Sequence, residues 1–101
     1  MTIESLKEIF HAEPNQRIPI THSRVAKFET IRIELTPTNV MVLTYNPSND
    51  QLKIQLGNTT ELFKLATLEL WLLRQRMLSL ALEENVPLDT VEMLTNNQEG
   101  F

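Results

Sequence analysis

Between Gly57 and Pro87 the chain runs without a glycine or a proline, and its apolar residues fall on two sides of a helix at once. Phe63, Ala66, Leu70, Leu73, Met77 and Leu80 recur at steps of three and four, which is one continuous helical stripe. Leu68, Trp71, Gln75, Leu78 and Leu82 form a second series at the same steps, centred roughly 150° around the helix from the first. Leu65 and Leu72 widen that second seam. Upstream, Asn58 followed by Glu61 has the form of a capping box, so the spacing predicts one long amphipathic helix over 59–84.

A helix laid on a sheet buries one stripe and leaves the others charged. Here the second seam needs cover as well. Four aliphatic or aromatic side chains left in water forgo on the order of 6–12 kcal/mol, comparable to the whole stability of a domain. Short terminal helices folding back would cover it from within, drawing on Ile3, Leu6, Ile9 and Phe10 and on Leu88, Val91, Met93 and Leu94. A second copy or another protein would cover it from outside. Gln75, a lone polar residue inside the seam, suits the external covering, because such a residue sets register and partner number.

The rest of the sequence supplies the surface for the first stripe. Ile31, Ile33 and Leu35 alternate with Thr30, Arg32 and Glu34, the period of a half-buried strand. Thr36 to Asn39 and Asn46 to Asp50 have turn chemistry. Between them Val40 to Tyr45 is apolar on both faces, as a central strand covered on two sides would be. Leu52, Ile54 and Leu56 then alternate with Gln51, Lys53 and Gln55. This predicts a three-stranded antiparallel meander over 28–57, whose outer strands are open to strand addition.

Ahead of it, Ile3, Leu6, Ile9 and Phe10 mark a short amino-terminal helix within 1–13, capped by Thr2 and closed by Pro14. Residues 14–27 have no regular pattern, and Pro19 suits an extended or edge path. Pro87 opens a short helix over 87–95, and 96–101 is a polar, frayed tail. The expected fold is a single α+β domain of 101 residues: a short helix, a three-stranded sheet, a long helix packed on it and a short carboxy-terminal helix.

Composition narrows the chemistry. The chain has no cysteine, which excludes disulfides, thiolate nucleophiles and cysteine-bound metals. Its two histidines, His11 and His22, lie in no metal-binding spacing, and its two glycines form no phosphate cradle, so no metal and no cofactor are expected. The first residues lack the apolar core of a secretory signal, and no apolar run approaches the roughly 20 residues of a membrane span. A cytoplasmic protein with no membrane partner is the expectation.

The formal net charge of −4 is unevenly spread. Arg17, Arg24, Lys27 and Arg32 face only Glu29 within 14–32, whereas 77–101 holds five acids and no base. The principal reading is a non-enzymatic protein-interaction module (adaptor, chaperone-like, inhibitor or regulatory subunit), homodimeric through Leu68, Trp71, Gln75, Leu78 and Leu82. The alternative is a nucleic-acid-binding regulator with Arg17, Arg24, Lys27 and Arg32 on one surface. A third is a small enzyme acting through His22, set among Thr21, Ser23 and Arg24.

Overall fold

The computed structural model of the chain describes residues 1–11, 17–87, 89 and 90. They form a helix α1 (Ile3–Ile9), then strands β1 (Ile20–Val25), β2 (Phe28–Thr36), β3 (Asn39–Asn46), β4 (Gln51–Leu56) and β5 (Thr59–Lys64). A single 3-10 turn (Leu65–Thr67) and a second helix, α2 (Leu70–Glu83), follow. The five strands form one antiparallel sheet in the order β1-β2-β3-β4-β5, so the α+β class and the meander stand, with five strands in place of three.

Both additional strands lie where the periodicity was read differently. The irregular stretch within 14–27 contains β1, paired with β2 from Ile20↔Ile33 to Val25↔Phe28 across the tight turn Ala26-Lys27. Its alternation is hidden because five of its six side chains are exposed and only Ile20 is buried. The expected helix over 59–84 divides into β5, the 3-10 turn and α2. Gly57 and Asn58 do not begin a helix. They are the two-residue loop joining β4 to β5, and Gly57 at φ +58 supplies the left-handed first position that such a loop needs.

One face of the sheet carries the core. Ile20, Ile31, Ile33, Leu35, Met41, Leu43, Leu52, Ile54 and Leu56 point to it, and both helices cover it. From α2 come Leu73, Met77, Leu80 and Ala81; from α1 comes Leu6, with Phe10 just beyond the helix. Thr2 and Ser5 cap α1 reciprocally. The amino-terminal ammonium donates to the Leu68 carbonyl at 3.4 Å, Lys7 pairs with Glu29 of β2 at 3.1 Å, and the His22 ring nitrogen donates to the Phe10 carbonyl. These ties set α1 over the β1–β2 side, while α2 lies over β4 and β5.

The opposite face is open. Thr30, Arg32, Val40, Val42, Thr44, Lys53, Gln55, Thr60 and Leu62 lie on it, and no described element packs there. β3 is central, as its sequence implies, but only Met41 and Leu43 are fully buried. Val40 and Val42 are half-buried. Arg32 and Gln55 stand on either side of Val42 in the register, and long polar side chains of this kind shield small apolar groups with their stems. Among the described residues no element supplies the expected second cover over the middle strand, and its neighbours' side chains flank Val42 instead.

The first helix ends at Ile9 with Phe10 as its C-cap, short of the expected bound at 13 and ahead of Pro14, which lies outside the described residues, as do most of the helix expected over 87–95 and all of the tail 96–101. Of that carboxy-terminal stretch, Thr90 donates a main-chain hydrogen bond to Pro87 at 3.1 Å. Among the described residues no helix is long and apolar enough to cross a membrane.

Candidate protein-docking surface

Between Leu70 and Glu83 the chain has no β-branched residue, glycine or proline, and it forms four turns of helix. The carboxy end is closed by a Schellman arrangement. Val86 N–H donates to Ala81 O at 2.9 Å, Asn85 N–H donates to Leu82 O at 3.3 Å, and Asn85 takes the left-handed position at φ +57. Val86, 4% exposed, completes the motif's apolar contact and turns the chain back into the core.

The two stripes on α2 have different fates. Leu73, Met77, Leu80 and Ala81 are buried with half-buried Leu70 beside them. Nearly opposite, Trp71 is 59% and Leu82 60% exposed. These two lie eleven residues apart, so helical geometry returns them to one line about 16 Å long with Gln75 and Leu78 between. Gln75 is exposed, and Leu78 is half-buried, packed against the core. The Trp71 indole N–H donates to the Glu69 carboxylate, which leaves the N-cap position of α2 without a side-chain cap. Arg74 and Arg76 are exposed on the same helix.

Two members of the wider seam are corrected. Leu68 is 4% exposed: it precedes α2 in extended backbone and packs into the core. Leu65, in the 3-10 turn, is 1% exposed. Once 59–69 is not helical, the angular argument that placed both on the outward face no longer applies to them. What remains outward is Trp71, Gln75 and Leu82, with Leu78 at their margin.

The four basic residues do not share one face. Strand alternation sets Arg24 on the core side of β1 and Arg32 on the open side of β2. Arg24 donates from Nε to Ala26 O at 3.4 Å, and Arg32 lies 3.9 Å from Glu34. Lys27 donates to Ser48 Oγ at 2.8 Å and sits 5.8 Å from the centre of the Phe28 ring. Arg17 is exposed ahead of β1. His22 is engaged with the Phe10 carbonyl, where it joins β1 to the end of α1, and His11 bonds through Nδ1 to Glu8 O at 3.0 Å. Among the described residues no three histidine, aspartate or glutamate side chains converge as metal ligands.

The main polar constellation is one that periodicity does not reveal. Asp50, left-handed at φ +57, accepts from the Tyr45 hydroxyl at 2.8 Å and from Ala66 N–H at 2.8 Å, while its carbonyl accepts from Leu65 N–H at 2.9 Å. The Ala66 amide first, and then the Tyr45 hydroxyl, hold the Asp50 carboxyl below its ordinary value. The same bond to Asp50 keeps the Tyr45 phenol above its own. At the other end of β5, Glu84 Oε1 accepts from Asn58 N–H at 3.1 Å and from Thr59 Oγ1 at 2.7 Å. Asn-Pro-Ser-Asn-Asp was legible as a turn, but nothing local in it signals a partner sixteen residues ahead.

Comparison with known proteins finds no matching family model, no matching curated protein and no matching solved structure.

Proposed function

We propose that this protein is a small non-enzymatic interaction module that associates, first of all with a second copy of itself, through the outward face of α2. The observation that carries the reading is the pair Trp71 and Leu82, both about three-fifths exposed on one line of a helix whose opposite face buries Leu73, Met77, Leu80 and Ala81. Leaving the two in water forgoes about 2–4 kcal/mol. Tryptophan and arginine are also the residue types that most often anchor interfaces, and Arg74 is exposed one step to the side of this line. An antiparallel pairing of two α2 helices sets Trp71 of one copy against Leu82 of the other. It also sets Gln75 against Leu78, a self-complementary arrangement of the kind a two-fold dimer requires.

Size-exclusion chromatography with light scattering, run beside Leu82→Glu, tests the reading. The wild type is expected to be dimeric at about 100 µM, and Leu82→Glu monomeric with the melting temperature of the wild type diluted below its dissociation range. Leu82 is the position to substitute, because Leu78 also packs on the core and its replacement would lower stability as well as association. Trp71 is the chain's only tryptophan, so its emission should shift to the red on dilution through the dissociation range. A wild type that stays monomeric, with emission independent of concentration, overturns the proposal.

A further inference from the structure

The two outermost strands are β1 and β5, and their free edges differ. The phase of each ladder follows from one bond beyond its end. Leu65 N–H donates to Asp50 O, so Phe63, Glu61 and Thr59 direct their main-chain groups toward β4. The main-chain groups of Thr60, Leu62 and Lys64 therefore face away from the sheet. On the other side Glu34 N–H donates to Pro19 O, which turns the groups of Ile20, His22 and Arg24 outward.

Natural edges are blunted by proline, by bulges or by cover. β1 is preceded by Pro19, and the end of α1 stands against it through His22 and Phe10. Among the described residues β5 has neither proline nor cover, its charges being Glu61 on the core side and Lys64 at its end, and it exposes Leu62 at 55%. A groove of about 210 Å³ wraps this edge, lined by Gln51, Leu62, Phe63 and Lys64. It is smaller than the roughly 300 Å³ at which small-molecule sites begin, and it suits one or two apolar side chains. The open face of β4 and β5 carries Lys53 and Lys64 and no acid, with Lys64 Nζ donating to Asn49 O at 2.7 Å and keeping its positive charge at this edge.

We infer that the β5 edge receives an extended peptide segment of a partner, which adds as a sixth strand. Its main chain pairs with Thr60, Leu62 and Lys64. An apolar side chain enters the Leu62–Phe63 groove, and an acidic residue beside it meets Lys64 and Lys53. Backbone pairing supplies the affinity and the alternate side chains supply the selection. This edge is distinct from the outward face of α2, so the two proposals fail separately.

The probe is a labelled peptide whose core reads, from its amino end, glutamate, two valines and two threonines. Added antiparallel, it sets the glutamate across from Lys64 and the valines across from Phe63 and Leu62. Titration by NMR is expected to shift and protect the Thr60 and Leu62 amides of the full chain and to leave Trp71 unmoved. Thr60→Pro removes an N–H that β4 does not use, so it should keep the fold and weaken the peptide about tenfold or more. N-methylation of the second valine in the peptide should do the same without altering the protein, and this keeps the test decisive if Thr60→Pro unfolds. Lys64→Glu should weaken binding by about threefold.

No binding up to about 1 mM, or equal binding of the N-methylated peptide, overturns the inference. So do shifts confined to α2. Concentration-dependent protection of Thr60 and Leu62 without peptide would give the edge to a second copy instead. Displacement of the peptide by single-stranded oligothymidine, with shifts at Arg32 and Lys53, would give the open face to nucleic acid.

Discussion

The two ends of β5 are each held by a carboxylate, but the carboxylates come from opposite directions along the chain. At the carboxy end Asp50, from the preceding turn, ties the Ala66 amide and the Tyr45 hydroxyl. At the amino end Glu84, just past α2, ties the Asn58 amide and the Thr59 hydroxyl from twenty-five or more residues away. The first tie lies within the meander and forms as β3, β4 and β5 pair. The second exists only once α2 has crossed the sheet. Both hold the same strand, yet one reports local pairing and the other reports assembly of the two layers, because closing the longer loop costs entropy that only docking of α2 offsets.

The Glu84 end should be the more easily broken. Gly57 is left-handed, and a Cβ there would meet Glu84 Oε2 at 2.5 Å and Cδ at 2.6 Å. Gly57→Ala is expected to cost about 2–4 kcal/mol, from left-handed strain together with loss of the hydrogen bonds the displaced carboxylate makes. Urea denaturation measures it. In a Glu84→Ala background the same substitution should cost only the strain, about 1–2 kcal/mol. Equal costs in the two backgrounds would show that the carboxylate does not govern this turn.

Glu84→Ala alone should cost about 1–2 kcal/mol, and Glu84→Gln less, because one amide oxygen can still accept from both donors. Hydrogen exchange would locate the loss at Asn58 and the start of β5, with the Asp50 end unchanged.

The Asp50 end is sharpened by pH. Asp50 titrates below its ordinary 3.8 in the folded chain, so its contribution is whole above that value and is lost as pH falls through the folded one. Asp50→Asn, which tolerates the left-handed backbone, should therefore melt lower than the wild type near neutrality. The gap should close as the acid limb is crossed. Tyr45 titrates above its ordinary 10.0, so its share is whole below about pH 10 and is lost as pH rises past its folded value. A gap independent of pH on the acid side would show that the Asp50 charge is irrelevant to the tie.

The smallest effect belongs to the turn that neither carboxylate touches. Ala26 is left-handed at φ +55, a position that favours glycine, in the loop between β1 and β2. Ala26→Gly should stabilise by about 0.5–1 kcal/mol, strain relief outweighing the added freedom of the unfolded chain. A loss of stability would mean that the turn carries no strain to relieve.

Three strands, the capped first helix and the buried stripe of α2 could be read from the chain alone, because each has an unambiguous period or turn. β5 could not. Phe63, Ala66 and Leu70 fit helical steps, while Thr59, Glu61 and Phe63 against Thr60, Leu62 and Lys64 fit a strand, and the longer match prevailed. The Gly57-Asn58 pair was the signal for the hairpin, but the same residues also satisfy a capping reading. Of the proposed docking residues, Trp71, Gln75 and Leu82 lie outward as the spacing implied, while Leu68 was misplaced by extending helical angles across a strand and a 3-10 turn.

Side-chain periodicity and turn chemistry, both local, determined that this protein would be a meander with helices on it and that the helix after it would have one buried face. Tertiary structure decided between the strand and helix readings of 59–64, made 20–25 the other edge, and chose which carboxylates hold β5 in place. The ties depend on partners sixteen and twenty-five residues apart, Asp50 with Ala66 and Glu84 with Thr59, and the side chains near either carboxylate in sequence do not specify which amide or hydroxyl reaches it.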